Sequence, residues 1–287
     1  MTVERYLAPK SLSEALEALR SADVTILAGG TDVMPQSESG KAPLRKALVN
    51  IRRLPELTGI ALAKNEVRLG ALTTISKMMA SDLVRKHFPI LVEAGDHFAS
   101  EQIRNAGTLG GNVCNASPAG DTLVPLLALD ASVELARKPN GSVETRTTPL
   151  KSFFVSPGKT HREPGELVVA IRIPVPPADQ IQRFFKFGTR PALDISAIAI
   201  GLAAVKAKSV LSHVRIAYGA VAPVPIRGAK TETVLEGKKL TPELIERAAQ
   251  VAHDEVRPIS DVRASDWYRR ELMHNIVKRM LTDVHES

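Results

Sequence analysis

At 287 residues, 44% of them hydrophobic, the chain is long enough for two domains or three small ones, each with a buried core. The net charge of +7 is spread in short pairs such as Arg52-Arg53 and Arg269-Arg270, without the basic, aromatic-interleaved stripe that nucleic-acid binding requires. A single cysteine, Cys114, excludes an internal disulfide and any iron–sulfur or zinc site built from several thiolates, and the longest apolar run, Ala197 to Val205, is too short to cross a bilayer.

The N-terminal MTVERYLAPKSLSEAL has no apolar signal-peptide core, and one thiol suits a reducing compartment, so a cytoplasmic protein is expected. Ser11 with Glu14 three residues on is a helix start, and Leu12, Ala15, Leu16 and Leu19 share one helical face. Asp23 to Leu27 reads as a short buried strand that runs into Ala28-Gly29-Gly30-Thr31-Asp32. Strands are predicted at Leu48 to Ile51 and Val67 to Leu72, with Arg53 to Leu57 as a connection. Helices are predicted from Thr73-Thr74 through Met79 and over Asp82 to Ala94, broken at Pro89. Thr108 to Asn115 is predicted as strand and turn, its glycines arguing against a helix. A helix over Thr122 to Leu129 follows.

Ser132 to Arg137 and Val143 to Thr147 flank a Pro139-Asn140-Gly141-Ser142 turn and form a hairpin. Glu166 to Ile173 is a strand, stopped by the proline cluster at Pro174 to Pro177, which marks a domain boundary. Gln182 to Thr189 and Ser212 to Ala222 read as strands. Asp194 to Val205 fits a buried strand or a helix equally. Thr241 and Ser265 cap two closing helices. The second presents Trp267, Leu272, Ile276, Val277 and Met280 on one face. Strands followed by helices make the last third a small α+β domain.

Two glycine pairs stand out, Gly29-Gly30 and Gly110-Gly111. A pyrophosphate needs several backbone N–H groups aimed at one point with no side chains between. Alone, Gly29-Gly30 is a plain turn. Two such loops, each after a predicted strand and each with small donors (Thr31, Asn112, Ser117), point to one phosphate-bearing ligand held between them. Asp32 and Asp121 either accept from sugar or ribityl hydroxyls or cap their own loops. Phe98 either covers an aromatic cofactor face or packs in the core, and Cys114 is a small packed residue. Lys186, on the apolar strand QRFFKFGT, contacts a phosphate or flavin or faces solvent from an edge strand.

Other chemistries fail on specific residues. No G-x-G-x-x-G follows a strand, and Ser156-Pro157-Gly158-Lys159-Thr160 is no P-loop because Phe153 stands where glycine is required. The seven histidines are scattered, so no metal site and no catalytic acid–base pair is expected.

In order, YLAPKSLSEAL, ILAGGTDV, IRRLPEL, VRLGALTT, QIRNAGTLGGNVCNASPAGD, PGELVVAIRIP and FFKFGTR resemble the landmarks of one family. It is the FAD-binding medium subunits of the molybdenum hydroxylases, among them xanthine dehydrogenase and carbon monoxide dehydrogenase. The resemblance covers essentially the whole chain. It implies an α+β fold: an FAD-binding domain of the vanillyl-alcohol-oxidase (PCMH) type over 1–176, in subdomains of about 1–57 and 58–176, then a CO-dehydrogenase-flavoprotein-like C-terminal domain over 177–287.

It further implies non-covalent FAD. Leu27, Ala28, Gly29, Gly30, Thr31, Asp32 and Val33 match one phosphate loop. Thr108, Gly110, Gly111, Asn112, Cys114 and Asn115 match the second, followed by Ser117 and Asp121 toward the ribityl and flavin end. Leu167 and Val168 match a strand beside the isoalloxazine, Lys186 a lysine near it, and Phe98 an aromatic that stacks on it in some members. The implied partners are a small subunit with two [2Fe–2S] clusters and a large subunit with the molybdenum cofactor, in a dimer of heterotrimers. Electrons would pass through the clusters to FAD and on to a final acceptor. A flavin-free assembly subunit and a self-contained flavin oxidoreductase are the alternatives. The intact glycine loops count against the first, and the lack of a catalytic acid–base pair counts against the second.

Overall fold

The structure, a computed structural model, describes residues 3–20, 23–190 and 193–287, so Met1 and Thr2 of the N-terminal segment read above lie outside it. Three larger sheets and a two-stranded one, Phe154–Ser156 with Lys159–Thr160, organise the described residues.

The first sheet is small and parallel. Its central strand, Ala47–Asn50, runs between Arg5–Leu7 and Val24–Leu27. Helix Leu12–Ala18 is capped by Ser11, whose hydroxyl accepts the Glu14 N–H (3.2 Å), and buries Ala15 and Leu16. The Glu14 carboxylate accepts the Lys10 N–H (2.8 Å), one residue beyond the N-cap N–H of a capping box. This small core continues onto Leu167 and Val169 of the second sheet, which ties the two sheets together.

The second sheet is antiparallel, in the order Ile60–Ala63, Glu66–Gly70, Leu167–Pro174, Ser132–Arg137, Glu144–Pro149. Short helices cover it: Ile75–Ala80, Asp82–His87, Pro89–Asp96, Glu101–Ala106, Leu109–Asn115 and Leu123–Ala128. Thr74, Ser81, Ser100 and Thr108 cap four of them through their hydroxyls. Pro89 opens a new helix, as the break predicted.

The proline-rich segment 174–177 leads to the third sheet, Gln180–Phe187, Ile198–Ala207, Val210–Gly219 and Ile226–Arg227, with Lys238–Lys239 paired to the far end of Val210–Gly219. The ambiguous apolar run is its central strand, buried on both faces, which is why its pattern lacked a clear period. Ile198, Ile200, Leu202 and Ala204 face helices Pro242–Glu255 and Asp266–Glu286. Ala199 and Ala203 on the other face join the core of the second sheet beside Ala217. The contact surface there is made of small residues. Gly201 and Gly219 lie so close to Val124 that a Cβ on either would stand 3.1 or 2.7 Å from its methyls.

The last helix departs from the predicted face. Trp267 is 65% exposed, whereas Arg269, Met273, Val277, Met280, Leu281 and Val284 are buried. The buried stripe begins at an arginine because Arg269 donates to the Ala197 and Ala220 carbonyls (2.9 and 2.5 Å) and to Asp261 (2.8 Å). A hydrophobic pattern has no way to mark that position.

Helix Leu123–Ala128 is buried along its whole length, so Val124 has little room to yield to an added methyl. Gly219→Ala is expected to cost about 1–3 kcal/mol by overpacking. A melting temperature lowered by several degrees would bear this out, and an unchanged one would contradict the close packing.

Candidate cofactor site

The strand Val24–Leu27 delivers the loop 28–32 to the helices that cover the second sheet, where it meets the junction between Glu101–Ala106 and Leu109–Asn115. No side chain fits between them. A Cβ on Gly29 would overlap the Ala106 carbonyl oxygen, and one on Gly107 would sit 3.0 Å from the Ile103 oxygen and 3.4 Å from Thr31 Oγ1. Gly30 has φ +80°, open to glycine at no steric cost. The two segments therefore touch backbone to backbone at one end and open into a cleft of about 310 Å³.

The cleft's walls are largely apolar, with Val24, Ile26, Ile51, Leu72, Phe98, Leu167 and Val168 among them. Its polar lining comes from Thr31, Asp32, Gln36, Thr108, Asn112, Asn115 and Arg162. Leu167 and Val168 reach it at the start of their strand, where the register with Ser132–Arg137 shifts after Val168.

Residues 109–115 form a helix rather than the predicted strand and turn. Its glycines lie in the first turn, and Gly110 meets a neighbour. A Cβ on Gly110 would stand 2.7 Å from the Ala71 Cβ and 2.8 Å from the Ala71 oxygen. Close packing thus overrides the helix propensity of about 1 kcal/mol that each glycine forfeits. The same packing uses up the amides. The Leu109 N–H donates to Thr73 O and the Gly110 N–H to Ala71 O (both 2.9 Å), while Gly111 and Asn112 donate to the Thr108 hydroxyl and carbonyl. Gly110 is therefore a packing device, and the second glycine pair is not a nest of free N–H groups.

The free amides belong to the first loop. Gly29, Gly30, Thr31 and Asp32 donate no backbone hydrogen bond to any described residue, and Thr31 Oγ1 and Asn112 Nδ2 have no partner either. Four successive unpartnered N–H groups beside an apolar slot are the donors an anion site requires. Side chains fix its far end. Asn115 Nδ2 donates to Asp32 Oδ2 (3.1 Å), Gln36 Nε2 donates to Asn115 Oδ1 (3.2 Å), and Thr122 Oγ1 donates to Asn112 Oδ1 (2.6 Å).

Of the residues singled out in the sequence, Ala28, Gly29, Gly30, Thr31, Asp32, Val33, Phe98, Thr108, Gly110, Gly111, Asn112, Cys114, Asn115, Leu167 and Val168 line this one cleft. Leu27, Ser117, Asp121 and Lys186 do not. Leu27 packs beneath Gly30. Ser117 Oγ accepts the Ala119 N–H (3.3 Å) and turns the chain toward Asp121. Lys186 does not face solvent: its Nζ donates to Asp121 Oδ2 (2.9 Å) and to the carbonyl of His97 (3.0 Å), beside Phe98. Burial outweighs the Lys186 charge and holds the Asp121 carboxyl above its ordinary range. Burial likewise raises the Cys114 thiol, opposed in part by Arg162, which leaves it a neutral packed group.

Two polar lining residues were missed in the sequence, Gln36 and Arg162, as were the apolar or small Val24, Ile26, Ile51, Ala71, Leu72 and Gly107. Gln36 lies in helix Val33–Glu38, too short to announce itself by periodicity. Arg162 sits in a turn that a buried carboxylate holds. Glu166 accepts a bidentate pair from Arg146 (2.5 and 2.7 Å) and the Glu163 N–H (2.7 Å). Burial opposes its charge, but Arg146 and the Glu163 N–H more than offset that, and its carboxyl lies below its ordinary range. Among the described residues, no group of three or more His, Cys, Asp or Glu is placed to hold a metal ion.

The family model for the FAD binding domain in molybdopterin dehydrogenase matches residues 2–176, and that for the CO dehydrogenase flavoprotein C-terminal domain matches residues 183–284. The chain belongs to the FAD-binding subunits of the molybdopterin dehydrogenases. Within this family it is 32% identical over 281 residues to the xanthine dehydrogenase FAD-binding subunit of Escherichia coli O157:H7, covering 97% of this chain and 94% of the relative. It is 33% identical over 280 residues to the glyceraldehyde dehydrogenase medium chain of Sulfolobus acidocaldarius, covering 97% of each. Among solved structures, the carbon monoxide dehydrogenase of Hydrogenophaga pseudoflava that lacks the Mo-pyranopterin moiety of its molybdenum cofactor superposes with a TM-score of 0.91. That match is at 32% identity, over 97% of this chain and 96% of the other. The family's mixed helix-and-sheet FAD-binding fold with a C-terminal domain is the fold observed.

Two outcomes follow from the site. Gly29→Ala must push the loop off the Ala106 carbonyl, and FAD binding, read by fluorescence titration of the apoprotein, is expected to weaken at least about tenfold. Glu166→Gln is expected to cost about 2 kcal/mol at neutral pH in urea unfolding, because it breaks a mostly buried pair. Glu166 has a lowered folded-state pKa, so its contribution is present above the ordinary 4.5 and is lost as pH falls through the folded-state value. The gap between parent and variant should accordingly narrow in acid, and a gap independent of pH would contradict the assignment.

Proposed function

We propose that this chain is the FAD-bearing electron-transfer subunit of a molybdenum-dependent dehydrogenase complex. The observation that carries the reading is the run of unpartnered amides at Gly29 to Asp32 over an apolar slot, in a chain of this family. The residues present fit FAD held without a covalent bond. The loop amides and the Thr31 hydroxyl would take the diphosphate, and Asp32 and Asn112 would take hydroxyl or ribityl groups. Val168 and Phe98 would wall the aromatic rings. FAD, when bound, exchanges electrons singly with iron–sulfur clusters and as a pair with a two-electron acceptor. The chain's own task is to bind, orient and shield it.

Leu27, Ser117, Asp121 and Lys186 act at one remove in this reading. The Lys186–Asp121 pair joins the C-terminal domain to the turn after the second loop and holds the His97 carbonyl next to Phe98. The domain limits of 1–176 and 177–287 and the subdomains 1–57 and 58–176 belong to the same proposal. So do a small [2Fe–2S] subunit and a large molybdenum-cofactor subunit as partners, a dimer of heterotrimers and a cytoplasmic location. No helix among the described residues is long and apolar enough to cross a membrane. Relatives named for xanthine and for glyceraldehyde match at nearly the same identity, which fits a substrate pocket on another chain.

Purification of the native complex decides the matter. A yellow preparation is expected that releases FAD on denaturation and contains two further subunits, one larger and one smaller, with molybdenum and iron. A chain that purifies alone, colourless, and takes up no FAD on refolding would contradict the proposal.

A further inference from the structure

The cleft contains two charged side chains among the described residues, Asp32 and Arg162. They cancel, so the lining offers a diphosphate dianion no net positive charge, only the partial charges of the loop amides. Arg162 therefore carries the sole full positive charge in the lining, and its surroundings leave that charge free. The neighbouring arginines are committed. Arg146 is paired with Glu166, and Arg137 with Glu144 and Glu163. Arg162 makes no ion pair with a described residue. Its Nη1 donates to the Glu166 carbonyl (2.7 Å), while Nε and Nη2 have no acceptor among the described residues.

That single tether has a purpose beyond holding the turn. It fixes one corner of the guanidinium to the residue that starts the strand of Leu167 and Val168, both cleft walls. The remaining N–H groups form a planar fork of the kind that grips phosphate oxygens. Arg162 is an exposed residue at the cleft's lining, and its positive charge opposes the burial that raises the Cys114 thiol in the same cleft.

We infer that Arg162 is a cofactor-binding residue, supplying the cation that pairs with the diphosphate of FAD. This rests on the proposed FAD site and adds to it a contact that neither glycine loop contains. Glu166 and Arg146 are its positioning residues, since they hold the turn without lining the cleft.

The test titrates the full-length apoprotein and Arg162→Gln with FAD and, separately, with ADP, which carries the diphosphate without the flavin, each at low and at high salt. Arg162→Gln is expected to bind both ligands about tenfold more weakly at low salt, with a shallower salt dependence than the parent. Unchanged affinity for FAD and ADP would overturn the inference. A loss with the parent's full salt dependence would overturn it too, because the arginine would then act only by bracing its turn. A parent chain that binds neither ligand would instead reject the FAD site itself.

Discussion

Everything at the site depends on one close approach, backbone against backbone, between the Gly29 loop and the Ala106–Gly107 junction. It brings a loop from the parallel sheet onto the helical layer of the antiparallel one. A cleft forms because the contact is tight at one end only. The loop's amides meet no acceptor among the described residues, while the segment it touches spends its own donors inward, on Ala71, Thr73 and Thr108. One side of the cleft is thus a rigid floor and the other a row of free donors. That asymmetry suits a ligand with an anionic middle and flat, apolar ends.

The C-terminal domain is joined to this arrangement through small residues and one buried ion pair. Ala199, Gly201, Ala203, Ala217 and Gly219 let a sheet lie almost directly on helix Leu123–Ala128. Lys186 then reaches across to Asp121 and the His97 carbonyl. A lysine with 6% side-chain exposure opposite an aspartate with 12% is a costly arrangement. Removing either partner alone would strand a buried charge, so the pair fixes the relation of the two domains near Phe98. The third sheet positions the cleft's edge without lining it.

Much of this was legible in the sequence, for identifiable reasons. Strands with turn residues at their ends, such as Ser132–Arg137, and helices with a hydroxyl cap, such as Pro242–Glu255, follow local rules and lie within a residue or two of their predicted limits. Fifteen of the residues singled out converge on one cleft because glycine-rich motifs mark where the backbone must come close. What was not legible depends on partners distant in sequence. Gly110-Gly111 reads as a turn until Ala71 is seen against it. Arg269 reads as a surface charge until the carbonyls of Ala197 and Ala220 appear around it. Arg162 is unremarkable in its own segment and becomes a site residue only through the turn that Glu166 holds. The family resemblance supplied the identity of the ligand, while the structure determines which of the two glycine loops has donors to offer it.

Amide hydrogen exchange with and without FAD is the most direct test of that division of labour. In the apoprotein, the peptide spanning Gly29 to Asp32 should exchange rapidly, while that spanning Leu109 to Asn112 is already protected by its internal bonds. FAD should then slow the first strongly and change the second little. Protection gained mainly at Leu109 to Asn112, with Gly29 to Asp32 unaffected, would contradict the account.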